Sequence, residues 1–384
     1  MRLLFFFTFE MSLDKWSSAG LIRHGLKFYN ELCRNDIEVD LVTYGGSEEY
    51  NYQYLFGPGL AVHPVFIGGP KNPWLRFFFS WVVPLRMRSL LKKADLVKTH
   101  QMWGSWQGLM AKLLFGKKWV LRGGFEHHRF LIYQKACLRD RLFSRLLSWL
   151  GYHLADAVIW SNEADRRWAV DYFGLQEGDP RFHVIPNYVD TEEFRPRQVV
   201  PENRKILTVA RLDRQKNLES LIRGLTGSGY LLELVGEGPL RDDLKLLAED
   251  LGVMVNFCGR IPHEEIASRM NDSKVFVLCS WYEGLSSALL EAMACGMAVV
   301  GTRVPGIKEV ITDQENGLLV EPEPGSIRRG IDRLMEDSEF CNKLGRNAAK
   351  LIEDNYSLRR ILNLEMNVYN RLLVKEARSA GNPA

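Results

Sequence analysis

Residues 274–296 read KVFVLCSWYEGLSSALLEAMACG and join a short apolar run to an amphipathic segment with two carboxylates. The run KVFVLC predicts a buried strand, and the segment that ends at Gly296 predicts a helix. Glu283 lies in the loop between them, and Glu291 follows eight positions later, inside the helix. Because a helix N-terminus presents free backbone N–H groups and the positive end of a dipole, this strand–loop–helix unit suits a phosphate group.

A second unit of the same kind, with a basic loop, lies upstream. Residues 204–210 read RKILTVA and predict a strand, and a helical pattern begins at Leu218. The loop between them, RLDRQKN, contains Arg211 and Lys216. Fixed cations beside a leaving phosphate stabilise the negative charge that develops when a sugar–phosphate bond breaks. The two units therefore predict a site for a phosphate-bearing substrate.

These units resemble the E-x7-E and GR-x4-KN segments of retaining GT-B glycosyltransferases, family four (glycosyl transferases group 1). Three further segments resemble the same family: VGEGP at 235–239, VNFCGRI at 255–261 and IPNYVD at 185–190. The chain departs from the family at Ala210 and Tyr188, where glycine is usual. The order and spacing of the segments across residues 184–320 carry the resemblance.

The resemblance implies a retaining, metal-independent hexosyltransferase. It would move a sugar from a UDP- or GDP-linked donor to a glycan or lipid-linked saccharide, in the synthesis of cell-surface polysaccharide or lipopolysaccharide. No Asp-x-Asp triplet occurs in the chain, so no metal and no other cofactor is expected. Carried over by position, the donor-site residues are Glu283 for the sugar, Glu291 for the ribose, Arg211, Lys216, Leu285 and Ser286 for the diphosphate, and Gly236, Arg260 and Ile261 near the donor.

The first half of the chain matches the family less closely. Its first loop has Ala19-Gly20 where the family has two glycines, so only Gly20 is predicted to let backbone approach the donor phosphate. At the end of the strand predicted at 118–122 the family often has a histidine, but here the residue is Arg122. We expect Glu126 to accept the acceptor's proton, and Arg122, His100 and His127 to bind the acceptor. A structural role for each remains the alternative.

Alternating apolar and helical patterns predict the fold. Strands are expected at 2–8, 37–43, 94–99, 118–122 and 155–160, and again at 204–210, 230–235, 253–257, 274–279, 297–301 and 317–320. Strands that alternate with helices indicate parallel sheets. The fold class is therefore α/β, of GT-B type, with two doubly wound Rossmann-like domains whose sheets face an interdomain cleft. The expected bounds are 1–190 for the acceptor domain, 204–355 for the nucleotide-sugar domain, and 356–384 for a C-terminal helix that crosses back to the first domain.

Charge is unevenly distributed along the chain. The formal net charge is +3, but residues 71–145 contain sixteen Lys or Arg against three Asp or Glu, together with thirteen aromatic residues. This pattern favours an anionic membrane surface, whereas nucleic acid is not expected as a partner. The apolar N-terminal run is short and ends at Glu10, so a first strand is expected rather than a signal peptide. The predicted location is the cytoplasm, with peripheral binding to the cytosolic face of the membrane.

Other readings of the same motifs stay open at the level of sequence. GT-B proteins include nucleotide-sugar epimerases, which need no acceptor, and sugar phosphorylases, which need a pyridoxal cofactor. The substitutions at residues 19 and 122 also fit a degenerate copy that binds sugars beside an active partner. The intact set of Arg211, Lys216, Glu283 and Glu291 favours an active transferase.

Overall fold

The computed structural model describes residues 1–70, 72–199 and 201–380, and the chain divides into two compact units. The first unit comprises residues 1–186 and the chain from Leu362, and the second comprises Asn187–Ile361. Three predicted segments extend beyond the described ranges: the basic stretch at its first residue, 71, the polar boundary region at residue 200, and the C-terminal segment at 381–384.

A parallel sheet of seven strands forms the centre of the first unit, in the order β3-β2-β1-β4-β5-β6-β7. Its strands are β1 (Arg2–Phe6), β2 (Glu38–Thr43), β3 (Leu60–Pro64), β4 (Leu96–His100), β5 (Lys118–Gly123), β6 (Ala157–Trp160) and β7 (Phe182–Val184). Continuous burial along the central strands, with Leu3 to Phe6 at zero exposure, is typical of a parallel sheet covered on both faces.

The helices of the first unit follow its strands and cover the sheet. They are α1 (Leu13–Ser18), α2 (Ile22–Arg34), α3 (Pro73–Arg86), α4 (Arg88–Lys93), α5 (Trp106–Phe115), α6 (His127–Tyr133), α7 (Leu138–Leu154) and α8 (Glu163–Phe173). A 3₁₀ segment also spans Ser47–Leu55. Capping side chains begin several of the helices, as when Asn72 accepts hydrogen bonds from the backbone of Trp74 and Leu75 at the start of α3.

The second unit contains a parallel sheet of six strands in the order β10-β9-β8-β11-β12-β13. Its strands are β8 (Glu202–Val209), β9 (Leu231–Val235), β10 (Met254–Gly259), β11 (Ser273–Leu278), β12 (Ala298–Thr302) and β13 (Leu318–Val320). Its helices are α9 (Leu218–Gly224), α10 (Arg241–Asp250), α11 (His263–Asn271), α12 (Ser287–Ala294), α13 (Pro305–Lys308), α14 (Pro324–Glu336) and α15 (Ser338–Tyr356). Two apolar clusters, one on each face of the sheet, form its core.

The last helix, α16 (Leu358–Ala380), belongs to the first unit from Leu362 onward. Glu365 of this helix is fully buried and bonds Lys98 Nζ at 2.5 Å and Arg122 Nη1 at 2.7 Å. Tyr369 also donates a hydrogen bond to Glu365. This network anchors the end of the chain to strands β4 and β5.

The predicted α/β class and the paired doubly wound sheets are confirmed, and every strand expected from the sequence is present. Two further strands, β3 and β7, were not expected. Both lie at sheet edges, β7 has only three residues, and β3 ends in Pro64. Short edge strands bury few residues, so they carry a weak apolar pattern that is hard to distinguish from a loop.

Candidate active site

The site in the second unit lies where the strand order reverses. The chain begins the sheet at β8, adds β9 and β10 on one side, and then places β11, β12 and β13 on the other. Loops that leave β8 and β11 at their carboxyl ends therefore diverge, and the space between them is the usual ligand position in open parallel sheets. Both predicted motifs fall in these two loops.

Lys216 and Glu283 meet at this point. Lys216 Nζ lies 2.6 Å from Glu283 Oε2, and the Ser280 hydroxyl donates a hydrogen bond of 2.9 Å to the same oxygen. The two side chains are 15% and 10% exposed, so the pair is largely shielded from water. A lysine and a carboxylate held together in this way give the site one fixed cation and one fixed acceptor.

Backbone and amide contacts join the two loops around this ion pair. The N–H of Trp281 donates to the carbonyl of Gln215 at 2.9 Å, and the Gln215 amide donates to the carbonyl of Tyr282 at 3.0 Å. Asn217 adopts a left-handed conformation, with φ of 51°, and its amide donates to the carbonyl of Pro322. The loop geometry is therefore set by contacts between distant segments, such as Gln215 and Tyr282, which lie 67 residues apart.

The N-terminus of α12 follows Glu283 directly. Ser286 is the N-cap, and its hydroxyl accepts a hydrogen bond from the backbone of Leu289. Gly306, in α13, packs so closely that a Cβ there would overlap the carbonyl oxygen of Gly284. The loop that presents Glu283, Leu285 and Ser286 is thus supported from behind by backbone.

Glu291 lies inside α12 and is 4% exposed. Its Oε1 is 2.9 Å from Nε2 of His263, the first residue of α11. Burial acts to lower the pKa of His263, but the hydrogen bond and charge of Glu291 outweigh it, and the pKa is raised above the ordinary value. His263 therefore fixes the orientation of the Glu291 carboxylate.

The remaining residues predicted for the donor site lie in the same loops or in neighbouring ones. Arg211 is exposed and pairs with Asp213 through a contact of 2.5 Å. Gly236, at the end of β9, has φ of +136° and packs against the carbonyl of Ala210, which precedes Arg211. Arg260 is exposed after β10, and Ile261 packs on the apolar core. Among the predicted residues, Lys216 and Glu283 are therefore in direct contact. Glu291 contacts His263, which was not predicted.

A cavity of about 520 Å³ opens at the corresponding reversal point in the first unit, beside β1, β4 and β5. We call it the aromatic cavity, and its lining residues are Phe5, Phe7, Thr8, Met11, Trp16, His100, Gln101, Trp103, Phe125, His127, Leu131 and Asp140. Burial and nearby cations lower the pKa of His100 to about 3, and burial lowers that of His127 to about 4. Both predicted histidines therefore face this cavity as neutral imidazoles.

Arg122 and Glu126 are placed differently from expectation. Arg122 is buried, pairs with Glu365 and donates to the carbonyl of Pro186 at 3.1 Å. Glu126 is completely buried at the N-cap of α6, where it accepts hydrogen bonds from the Arg129 backbone and the Tyr152 hydroxyl. These contacts favour the structural alternative for both residues, which are therefore not among the substrate-binding and catalytic groups proposed below.

Gly20 and a second cavity also lie in the first unit. Gly20 has φ of +72° in the turn between α1 and α2, a conformation that glycine adopts without strain. A cavity of about 660 Å³ borders α1, and its lining includes Lys15, Glu48, Gly45, Gly69, Pro73 and Arg76. We call it the polar cavity.

Three residues of these sites were not singled out from the sequence. His263 orients Glu291, Ser280 donates to Glu283, and Arg76 lines the polar cavity. Ser280 follows β11 by two positions, which is a local signal for a site at the carboxyl end of a strand. Nothing in the pattern around His263 or Arg76 indicates their partners.

Two family models match this chain, one in each half. The family model described as Glycosyltransferase Family 4 matches residues 19–193, and the model described as Glycosyl transferases group 1 matches residues 190–351. The chain belongs to the group 1 GT-B glycosyltransferases. The structure of sucrose-phosphate synthase from Thermosynechococcus elongatus superposes with a TM-score of 0.81 at 18% identity, over 98% of this chain and 100% of that one. That likeness shows the GT-B fold.

Two curated relatives of this glycosyltransferase differ in how much of their length they share. A glycosyltransferase of Methanocaldococcus jannaschii is 25% identical over 376 residues, which cover 88% of this chain and 95% of that protein. The second relative, from Campylobacter jejuni, is N-acetylgalactosamine-N,N'-diacetylbacillosaminyl-diphospho-undecaprenol 4-alpha-N-acetylgalactosaminyltransferase. It is 30% identical over 222 residues, which cover 55% of this chain and 59% of that protein.

Among the described residues, no helix combines the length and the apolar character that crossing a membrane requires.

Proposed function

We propose that this glycosyltransferase transfers a hexosyl-type residue, with retention of anomeric configuration, from a UDP- or GDP-linked sugar to a glycan or lipid-linked saccharide. The observation that carries the proposal is the ion pair of Lys216 and Glu283, which is held at the strand-order reversal directly before the N-terminus of α12. The biological setting we propose is the synthesis of cell-surface polysaccharide or lipopolysaccharide.

The donor diphosphate would bind between Lys216, Arg211 and the start of α12 at Leu285 and Ser286. Transfer leaves additional negative charge on the nucleotide diphosphate, and two cations together with a helix N-terminus stabilise that charge. Arg211 now pairs with Asp213, and its exposed guanidinium can turn to a phosphate without leaving the surface. We propose that these groups supply the charge stabilisation, so that no metal or other cofactor is needed.

The two carboxylates would hold the donor at its other ends. Glu283 accepts hydrogen bonds from sugar hydroxyls, while Lys216 is shared between this carboxylate and the diphosphate. Glu291 accepts hydrogen bonds from the ribose, with His263 holding its second side. Because a carboxylate buried beside a histidine has little freedom to rotate, its orientation is set before the ligand arrives.

The acceptor would bind in the first unit. The aromatic cavity offers stacking faces at Trp16, Trp103 and Phe125, with the neutral imidazoles of His100 and His127 as hydrogen-bonding groups. The Campylobacter jejuni relative is named for an acceptor carried on diphospho-undecaprenol. We infer by analogy that this enzyme also acts on a lipid-linked saccharide at an anionic membrane surface, on the cytosolic side.

Donor binding is tested by calorimetric titration of UDP- and GDP-sugars into wild type, Glu291→Gln and a control, Glu249→Gln. Glu249 is exposed on α10, so its variant matches the chemistry without touching the site. Loss of a hydrogen bond to a charged group weakens binding by roughly 10- to 100-fold. We expect that loss for Glu291→Gln and wild-type affinity for the control. Absence of binding by wild type to every donor would contradict the proposal.

The reaction is tested by product analysis with the donor that binds. Incubation with donor alone should leave the sugar unchanged, since an epimerase would convert it without an acceptor. With a lipid-linked saccharide acceptor, NMR of the product should show the same anomeric configuration as the donor. An inverted product would refute the retaining mechanism, and activity that depends on an added divalent cation would refute metal independence.

A further inference from the structure

Helix α3 carries an apolar stripe that is open to solvent. Trp74, Phe78, Val82 and Leu85 follow one another at intervals of four, four and three residues, so they lie on one face of the helix. Each is between 42% and 64% exposed. The opposite side of α3 is buried through Ser80, Val83 and Pro84. Half of this helix therefore packs in the fold, and its other half presents large apolar groups to water.

Helix α7 repeats the arrangement. Leu138, Leu142, Leu146 and Trp149 have the same spacing and are between 47% and 68% exposed. Its buried side is formed by Ser144, Leu147, Ser148, Gly151 and Tyr152. Two helices far apart in sequence thus share one exposed pattern.

The two stripes begin side by side. The Arg139 guanidinium lies 5.9 Å from the centroid of the Trp74 ring, so the first turns of α7 and α3 adjoin. Beneath them, the rings of Phe77 and Phe143 lie 5.9 Å apart and close the space between the helices. We call this combined face the α3–α7 surface. Clusters of large exposed apolar side chains mark interaction sites on protein surfaces.

The charges around the surface are almost all positive. Helix α3 contributes Arg86, and α7 contributes Arg139, Arg141 and Arg145, against one carboxylate on these two helices, Asp140. The other arginine of α3, Arg76, pairs with Glu10. The next helix, α4, adds the exposed cations of Arg88, Lys92 and Lys93. A second copy of this chain would bring like charges face to face in a symmetric dimer, which costs free energy. Apolar groups with a basic border instead complement a layer of anionic lipid headgroups over acyl chains.

We propose that the α3–α7 surface docks on an anionic membrane, with Trp74, Phe78, Leu142, Leu146 and their stripe neighbours inserted at the headgroup–acyl boundary. This inference rests on the proposed function, which supplies the lipid-linked acceptor. It adds the surface through which the enzyme would reach that acceptor. Pro73 and Arg76, in the first turn of α3, also line the polar cavity. Asp140, in the first turn of α7, lines the aromatic cavity proposed for the acceptor. Docking through both helices would therefore place both cavities next to the headgroups, where a lipid-linked saccharide is presented.

The test is co-sedimentation of the full chain with phosphatidylcholine vesicles, with and without phosphatidylglycerol. The key variant combines Phe78→Ser and Leu142→Ser. Its matched control combines Leu246→Ser and Met254→Ser, which are 60% and 53% exposed in the second unit. We expect anionic vesicles to bind wild type and control equally and to bind the key variant at least tenfold more weakly. Equal binding by all three proteins would overturn the proposal.

A charge variant tests the role of the basic residues around the α3–α7 surface. Arg86→Gln combined with Arg139→Gln should reduce binding to anionic vesicles severalfold, and added salt should weaken wild-type binding in the same direction. No preference of wild type for anionic over neutral vesicles would overturn the proposal. A wild-type dimer that the Phe78→Ser and Leu142→Ser substitutions dissociate would also overturn it, since the surface would then join two copies.

Donor titration on the same proteins separates this inference from the proposed function. The residues substituted in the key and charge variants lie in the first unit, and those of the control lie on α10 and at the start of β10. All of them are outside the proposed donor site, so every folded variant should bind the donor as wild type does. Donor binding without vesicle binding would refute the docking surface alone. Vesicle binding without donor binding would refute the proposed function and leave the docking surface supported.

Discussion

Replacement of Glu126 by glutamine should make the protein more stable at neutral and higher pH. The Glu126 carboxyl is fully buried in the first unit. Burial, reinforced by the neighbouring Asp165, raises its pKa to about 7, although hydrogen bonds from Arg129 and Tyr152 act to lower it. Glutamine has the same shape and can keep one acceptor toward the Arg129 backbone. The substitution therefore removes a charge while it preserves most of the packing.

The magnitude follows from linkage between protonation and folding. Between the ordinary glutamate pKa of 4.5 and the folded value of about 7, the folded state holds more protons at Glu126 than the unfolded state. The free energy of unfolding therefore falls as pH rises through this window. At about 1.4 kcal/mol per pH unit, the group lowers stability by about 3 kcal/mol above pH 7. Glu126→Gln does not titrate, so this loss should be absent from the variant.

The assay is urea unfolding followed by tryptophan fluorescence at a series of pH values from about 4.5 to 8. Nine of the ten tryptophans lie in the first unit, so the signal reports on the unit that contains Glu126. The difference in unfolding free energy between Glu126→Gln and wild type should rise toward about 3 kcal/mol in favour of the variant. Because other titrating groups are common to both proteins, their effects cancel in this difference.

A control and an activity measurement complete the experiment. Glu177→Gln replaces a carboxylate that is 78% exposed, and its stability should stay within about 0.5 kcal/mol of wild type at every pH. A pH-independent difference between Glu126→Gln and wild type would refute the burial argument. Retained transferase activity in Glu126→Gln would support the structural role, whereas its loss without loss of stability would restore the catalytic assignment.

Three further predictions concern the two units. Lys216→Met should lower kcat roughly a hundredfold or more in a donor-turnover assay, because it removes a cation beside the leaving diphosphate. The control Lys245→Met, exposed on α10, should keep the wild-type kcat, and equal kcat values for the two variants would contradict the charge-stabilising role. Gly306→Ala should weaken calorimetric donor affinity by displacing the loop before α12, whereas Gly325→Ala, which meets only the end of a flexible arginine, should bind normally. Glu365→Gln leaves the buried cations Lys98 and Arg122 without their carboxylate and should lower the free energy of unfolding by about 3–5 kcal/mol in urea unfolding. A decrease below about 1 kcal/mol would show that this network does not stabilise the first unit.

Much of the donor site could be predicted because it is built from local segments. Lys216 and Glu283 each follow a strongly apolar strand by a few residues, and the carboxyl ends of parallel strands share one edge of the sheet. Their contact follows from the alternation of strands and helices once β8 and β11 are neighbours. The role of His263 did not follow, because its partner Glu291 lies 28 residues away and no spacing rule connects them.

In the first unit, local sequence patterns did not predict which side chains are paired or exposed. Arg122 was expected at the acceptor because it stands near the end of a buried strand, where the family often has a histidine. Its charge is met by Glu365, which lies 243 residues further along the chain. The apolar spacing of α3 and α7 is also visible in the sequence. Only the packing shows that these stripes face solvent and adjoin each other.

The sequence by itself determined the α/β class, the two sheets and the positions of the donor-site motifs, because these depend on periodicity and on residues close together in the chain. Tertiary structure alone decided which charges are neutralised, which carboxylates are buried and which apolar faces remain exposed. Those properties depend on the partner that each side chain meets, and in this fold the partners come from distant segments.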